Sequence, residues 1–300
     1  MPLHVWSSAH YVIPLPEGHR FPIAKYALLR DAVLAEGIAT PATLHDPARI
    51  PEADAARVHD AGYLERLRTG AMPAADQRRL GFPWSPGLVE RSYRASGGTL
   101  EAAEHALTHG IGMNLAGGTH HAFAGHGEGF CVLNDVAIAV RALRARGRLR
   151  RAAVIDLDVH QGNGTHALCA DDPDTFTFSM HGRRNYPFRK VPGTRDIELE
   201  DGTGDTEYLE RLAEALPGVL AEARADLVCY LAGADPYEGD ALGRLGLTED
   251  GLLRRDALVL EAARAVGVPV VVTIAGGYGR DIQDTVRIHC NTARLARDFA

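Results

Sequence analysis

Over most of its 300 residues, this chain alternates short apolar, β-branched runs with longer Ala/Leu/Arg/Glu segments of helical period. The short runs predict strands at 4–6, 112–115, 152–156, 175–179, 227–231 and 269–274. The segments between them predict helices at 24–36, 52–68, 99–108, 133–146, 205–223, 248–266 and 281–300. Thr248, ahead of Asp250 and Gly251, reads as a helix start with the threonine as its cap. Strands alternating with helices predict an α/β fold with one open parallel sheet and helices on both faces. No repeat, low-complexity tract or long linker interrupts the pattern. The stretch 72–98, rich in Pro, Gly and Ser, reads as a surface excursion, and residues 1–300 read as one domain.

Composition narrows the function classes. Apolar residues make up 46% of the chain and charged residues 24%, which argues against disorder. The net charge of −7 excludes a general polyanion-binding surface as the main task, so direct nucleic-acid binding is not expected. Lys25 and Lys190 are the only lysines among 32 basic residues. Together with the high alanine content, this reads as the product of a GC-rich, bacterial genome. Cys131, Cys169, Cys229 and Cys290 form no CxxC pair and read as buried thiols in a reducing compartment. Residues 1–16 lack a basic stretch followed by an apolar one, and no run approaches the roughly 18 apolar residues of a spanning helix. A soluble, cytoplasmic chain without a membrane partner is the expectation.

The polar clusters fall just after the predicted strands, where open α/β sheets bind ligands. The segment AAVIDLDVHQGNGT ends an apolar run in Asp156, Asp158 and His160, which strand alternation would place on one face, followed by a loop broken by Gly162 and Gly164. A carboxylate and an imidazole two residues apart can hold one cation, and zinc takes both at about 2.0–2.2 Å. Asp156 can then orient a neighbour. The competing reading is a polar strand end with solvated acids. Asp235, closing LVCYLAGAD, is the candidate third ligand; taken alone it reads equally as a helix cap or turn acid. Three protein ligands leave a position for water, as in catalytic zinc sites.

His120 and His121 follow a Gly-Gly turn, and such imidazoles can pass protons. A loop pair without a role is the alternative. Asp156 can hold one imidazole and Asn163 the other, although an amide lacks a carboxylate's charge. Finally, AGGYG presents Tyr278 from a flexible turn, where a phenol can donate to a developing oxyanion. Tyr278 as a core residue, or the turn as a phosphate loop, are the other readings; no GxGxxG or GxxxxGK[ST] follows.

These pieces, in this order, resemble the zinc-dependent histone deacetylase family and its arginase–deacetylase fold. The likeness runs from about Tyr11 to Asn291 and rests on GGTHHAFAGHGEGFCVLNDVAIA, VIDLDVHQGNGT, YLAGADPYEGDALGRLGLT and AGGYG. Gln161 and Asn163 stand where the class I pattern has His and Asp. With IPLPEGHRFPIAKY and GTGDTEYLER they look like the class IV branch and its bacterial relatives. The resemblance implies zinc on Asp158, His160 and Asp235, catalytic roles for His120, His121 and Tyr278, and Asp156 as the partner of His120. It also implies a structural potassium ion on Asp156, the carbonyls of Asp158 and His160, Ser179 and Met180. Gly129, Phe130, Tyr186 and Leu242 would form the acyl-lysine channel. Leu242 stands where polyamine-specific members carry a glutamate, which argues against a cationic polyamine.

The implied activity is hydrolysis of an acyl-lysine amide in a protein or peptide. Deacylation of a small amide such as an acetylated polyamine, or a non-catalytic scaffold, are the alternatives. A binuclear manganese ureohydrolase of the same fold would need a DxD pair where this chain has Asp235 before Pro236.

Overall fold

The computed structural model describes residues 3–300. In chain order the first elements are β1 (Val5–Trp6), α1 (Lys25–Ala35), β2 (Leu44–His45), α2 (Glu52–Ala55), α3 (Ala61–Thr69) and α4 (Ala74–Leu80). Next come α5 (Pro86–His109), β3 (Ile111–Asn114), α6 (Asp135–Ala145), β4 (Ala152–Asp156), α7 (Asn163–Cys169), β5 (Thr175–Gly182) and β6 (Arg195–Leu199). The chain closes with α8 (Asp205–Ala223), β7 (Leu227–Leu231), α9 (Glu249–Ala265), β8 (Val270–Thr273) and α10 (Ile282–Asp298). The eight strands pair in parallel in the order β2-β1-β3-β8-β7-β4-β5-β6.

The central strands are apolar on both faces, as a doubly covered parallel sheet requires. Ala153, Ile155, Val228, Tyr230, Val270 and Val272 pack into one core with α1, α8, α9 and α10. Ala152, Val154, Leu227, Cys229, Leu231 and Val271 pack into the other, with α5 and α6. Thr248 does cap α9, its side chain accepting from Gly251 N–H. All four cysteines are free; Cys169 is half-buried and the other three are buried. Among the described residues, no helix is long and apolar enough to cross a membrane.

Several local expectations fail for identifiable reasons. The stretch 72–98 is no loop: it holds α4 and half of α5, whose start is set by the Ser85 cap and Pro86 in the first turn. Gly97 looks like a helix breaker but serves a close approach, since a Cβ there would lie 1.8 Å from the Ala48 carbonyl oxygen. The expected helix 52–68 is two, α2 and α3, separated by residues 56–60. The Gly162–Gly164 loop is shorter than expected, because α7 begins at Asn163.

Candidate active site

The four polar segments converge at the carboxyl ends of β3, β8, β7 and β4, the four central neighbours of the sheet. After β3, Gly117 and Gly118 take positive φ (78° and 72°) and turn the chain into His120 and His121. Asp135 in the first turn of α6 pins this turn, accepting from Gly118 N–H at 3.0 Å and Thr119 N–H at 2.8 Å. After β8, Gly276 and Gly277 lead to Tyr278.

One expectation needs correction. Strand alternation does not align Asp156, Asp158 and His160, because β4 ends at Asp156. A side-chain ladder orders the turn instead. Asp156 Oδ1 accepts from Asp158 N–H at 3.1 Å, and Asp158 Oδ1 accepts from His160 N–H at 2.9 Å.

Asp158, His160 and Asp235 bring three possible ligand atoms within 4.8 Å of one another. His160 Nδ1 lies 2.9 Å from Asp158 Oδ1 and 3.1 Å from Asp235 Oδ2. Two tetrahedral ligands at about 2.0–2.1 Å from zinc stand roughly 3.3 Å apart, so this cluster has the right size and donor set for such an ion. The other carboxylate oxygens are held by backbone: Gly276 N–H donates to Asp158 Oδ2 at 2.7 Å and Val159 N–H to Asp235 Oδ1 at 2.9 Å. Gly276 has no alternative here, since a Cβ would stand 1.9 Å from Asp235 Oδ2. Burial beside the Asp158 carboxylate pushes the Asp235 carboxyl up to about 7. Two carboxylates packed this tightly out of water call for a cation.

The paired histidines differ in their partners. His120 Nδ1 lies 2.6 Å from Asp156 Oδ2; burial opposes its charge, but Asp156 and Asp158 outweigh it and raise the imidazole to about 9. His121 Nδ1 lies 2.7 Å from Asn163 Oδ1. Burial, with the charges of His120 and His160, holds His121 well below its ordinary value. An amide oxygen only accepts, so His121 carries its proton on Nδ1 and leaves Nε2 free as an acceptor.

Asn163 is itself fixed by a residue the sequence reading missed. Its Nδ2 donates to Glu128 Oε1 at 2.8 Å, and Tyr186 donates its hydroxyl to the same oxygen at 2.6 Å. Burial would raise the Glu128 carboxyl, but the hydrogen bonds from His126, Tyr186 and Asn163 prevail and hold it below its ordinary value. Glu128 is therefore a carboxylate one step behind the amide. Its only signal in the sequence is a lone acid between two glycines in GHGEGF.

A cavity of about 910 Å³ opens above these groups, lined by His121, Gly129, Phe130, His160, Tyr186, Leu242 and Tyr278 among others. Two further residues escaped the sequence reading. Asp240 Oδ2 accepts from Tyr278 N–H at 2.6 Å, and Lys25, fully buried, donates to the Gly277 carbonyl at 3.1 Å, so both brace the tyrosine turn. Burial near Asp235 and Asp158 keeps the Tyr278 phenol protonated at neutral pH. Below the site, the β4–β5 register sets Asp156 beside Ser179, whose Oγ lies 2.9 Å from His181 Nδ1, and Met180 is fully buried.

A sequence profile described as histone deacetylase domain matches residues 19–293. The chain belongs to the histone deacetylase family. An uncharacterised protein of Picosynechococcus is 46% identical over 288 residues, covering 96% of each chain. Histone deacetylase 2 of Arabidopsis thaliana is 32% identical over 270 residues, covering 87% of this chain and 70% of its own. A crystal structure of a histone deacetylase homologue from Aquifex aeolicus shares the fold at a TM-score of 0.86 and 23% identity, covering 99% of this chain and 84% of that one. As a histone deacetylase-like protein, the chain is a hydrolase acting on amides.

Proposed function

We propose that this chain removes an acyl group from the side-chain amine of acyl-lysine, using zinc held by Asp158, His160 and Asp235. The observation that carries the reading is the convergence of these three residues beside a cavity that His160, His121 and Tyr278 share. Zinc, when bound, polarises an amide carbonyl and lowers the pKa of water toward about 7.

This chain's own residues supply the rest. His121, neutral and with Nε2 free, takes the proton from the attacking water. Tyr278, held protonated, donates to the oxygen that gains charge. His120, held by Asp156 at 2.6 Å, places a second imidazole beside that of His121. An imidazole returns the proton to the leaving amine, giving a carboxylate and a free lysine. Phe130, Gly129 and Tyr186 form the walls along which the acyl-lysine stem runs. A potassium ion on Asp156, the carbonyls of Asp158 and His160, Ser179 and Met180 would stiffen the floor.

Two details support placement near the class IV branch. Gln161 donates to Asp196 Oδ1 at 3.0 Å and accepts from Val191 N–H at 2.9 Å, so both ends of the amide are bonded. Asn163 does the same between His121 and Glu128. Leu242 in the cavity lining speaks against an acetylated polyamine, whose second amine would meet no carboxylate there.

The test is zinc-loaded protein on lysine peptides carrying acetyl, octanoyl or myristoyl groups, read as free lysine. Release from any one supports the reading, and the preferred length reports the depth of the channel. Silence on all three with zinc confirmed at one per chain would overturn it, in favour of a small-molecule amide or a non-catalytic scaffold.

A further inference from the structure

The mouth of the cavity carries an unusual charge pattern. Its charged lining residues apart from the histidines are Arg20, Arg78, Arg79, Arg184 and Arg244; no Asp or Glu lines it. This occurs on a chain whose net charge is −7. The five come from four separate places: the segment before α1, the helix α4, the loop after β5 and the loop after β7. The ring is thus assembled by the fold and is not the solvated face of one helix.

All five arginines are exposed. Arg20, Arg78 and Arg184 have no acidic partner among the described residues. Arg79 stands 4.0 Å from Asp76, and Arg244 lies 3.2 Å from Asp201. Glu128, in the wall below, is committed to Tyr186 and Asn163. Beside the ring, Phe188 is 86% exposed, the largest exposure of any large apolar side chain described.

We propose that this rim selects acyl-lysine carried in an acidic peptide. The proposal rests on the deacylase reading of the floor. An acyl-lysine side chain that reaches the floor leaves its backbone and flanking residues at the mouth, among the arginines. Flanking carboxylates gain there, and basic flanks or a polyamine's free amine are repelled. The occupant argued for is a peptide, because these arginines line the same cavity that the acyl-lysine stem enters; a single-stranded nucleic acid is an outcome of the test. Two or three exposed pairs, at about two- to fivefold each, give about tenfold in affinity.

The experiment is fluorescence anisotropy on the zinc-loaded protein. Labelled peptides of equal length carry acetyl-lysine between Asp, Ser or Lys flanks. The expected Kd for the Asp peptide is about tenfold below that for Ser, with Lys weakest. The order should collapse near 1 M salt, where the Debye length is about 3 Å. It should reverse in the double variant Arg78→Glu with Arg184→Glu.

Equal binding of all three, a preference for Lys flanks, or no measurable binding would overturn the proposal. So would tighter binding of a single-stranded oligonucleotide, or equal binding of an Asp peptide with Ala in place of acetyl-lysine. Both would mark a general anion surface. Acyl release is scored separately on the same peptides. Absent release with the acidic preference intact fails the catalytic reading alone, whereas release without charge preference fails this one alone.

Discussion

His121 and Glu128 are joined through one amide: Asn163 accepts from His121 Nδ1 at 2.7 Å and donates to Glu128 Oε1 at 2.8 Å. The charge usually expected beside such an imidazole is thereby moved one residue back. The amide passes on orientation, while the distance weakens the field that would favour the imidazolium.

Restoring the charge should change the pH profile more than the structure. In Asn163→Asp a carboxylate faces His121 directly and favours its protonated form, by about one to three pH units. Protonated His121 cannot act as base, so the acid limb of kcat/KM should move to higher pH. A pH–rate profile on an acyl-lysine substrate checks this, and an unmoved limb would separate His121 from the base.

Glu128→Ala removes the acceptor of both Asn163 and Tyr186. Losing hydrogen bonds to a charged group at about 1.5–3 kcal/mol should lower kcat by about tenfold or more, with zinc content unchanged. Glu128→Gln keeps an acceptor oxygen and should recover part of the loss. Metal analysis beside steady-state kinetics separates this from loss of the metal site.

Tyr278→Phe deletes the phenol proposed to donate to the oxyanion. A fall in kcat of about 100-fold is expected, with KM little changed and zinc retained. Because Asp240 and Lys25 brace the turn through its backbone, the fold at 276–279 should persist, which a thermal melt can verify.

Chelator-stripped protein should become less stable as the pH rises. His120 sits at about 9 and His160 at about 10 without an ion, against an ordinary value of 6.5. Stability from such raised imidazoles is complete below pH 6.5 and is lost as the pH climbs through 9 to 10. The Asp235 carboxyl, raised to about 7, works in the same direction as it ionises. A Tm series from pH 6 to 10, with and without zinc, should show a larger fall in Tm for the stripped protein, corresponding to a loss of stability on the order of a few kcal/mol.

Leu242→Glu places a carboxylate in the cavity lining, where none stands. Hydrolysis of acetylated polyamines relative to acetyl-lysine should rise by roughly fivefold or more. An unchanged ratio would show that position 242 does not meet the distal end of the substrate.

The legible parts of the site are those whose partners lie close in sequence or at a strand end. DLDVH and the His120–His121 pair each announce themselves within a few residues, and strand-end geometry makes their convergence expected. Glu128 was invisible because its contact with Asn163 spans 35 residues and leaves no periodic trace. The face shared by Asp158 and His160 was misread because side chains bonded to backbone override strand alternation once β4 has ended. In the fold, β6 escaped notice because its mixed polarity suits an edge strand exposed on one side. The start of α5 was lost because glycine in a helix reads as a break unless one knows what packs against it.

The strand order has a consequence for how the chain is made. β7 follows the first six strands in the chain and β8 follows β7, yet the two stand in the middle of the sheet, between β3 and β4. A nascent chain that has emerged only as far as β6 holds the two halves of the site, His120–His121 and Asp158–His160, on strands that never pair with each other. Only when β7 and β8 have emerged can they fill the gap between these halves, bringing Asp235 and Tyr278 with them. The third proposed metal ligand, Asp235, thus enters the site only with the strands that fill the gap between β3 and β4.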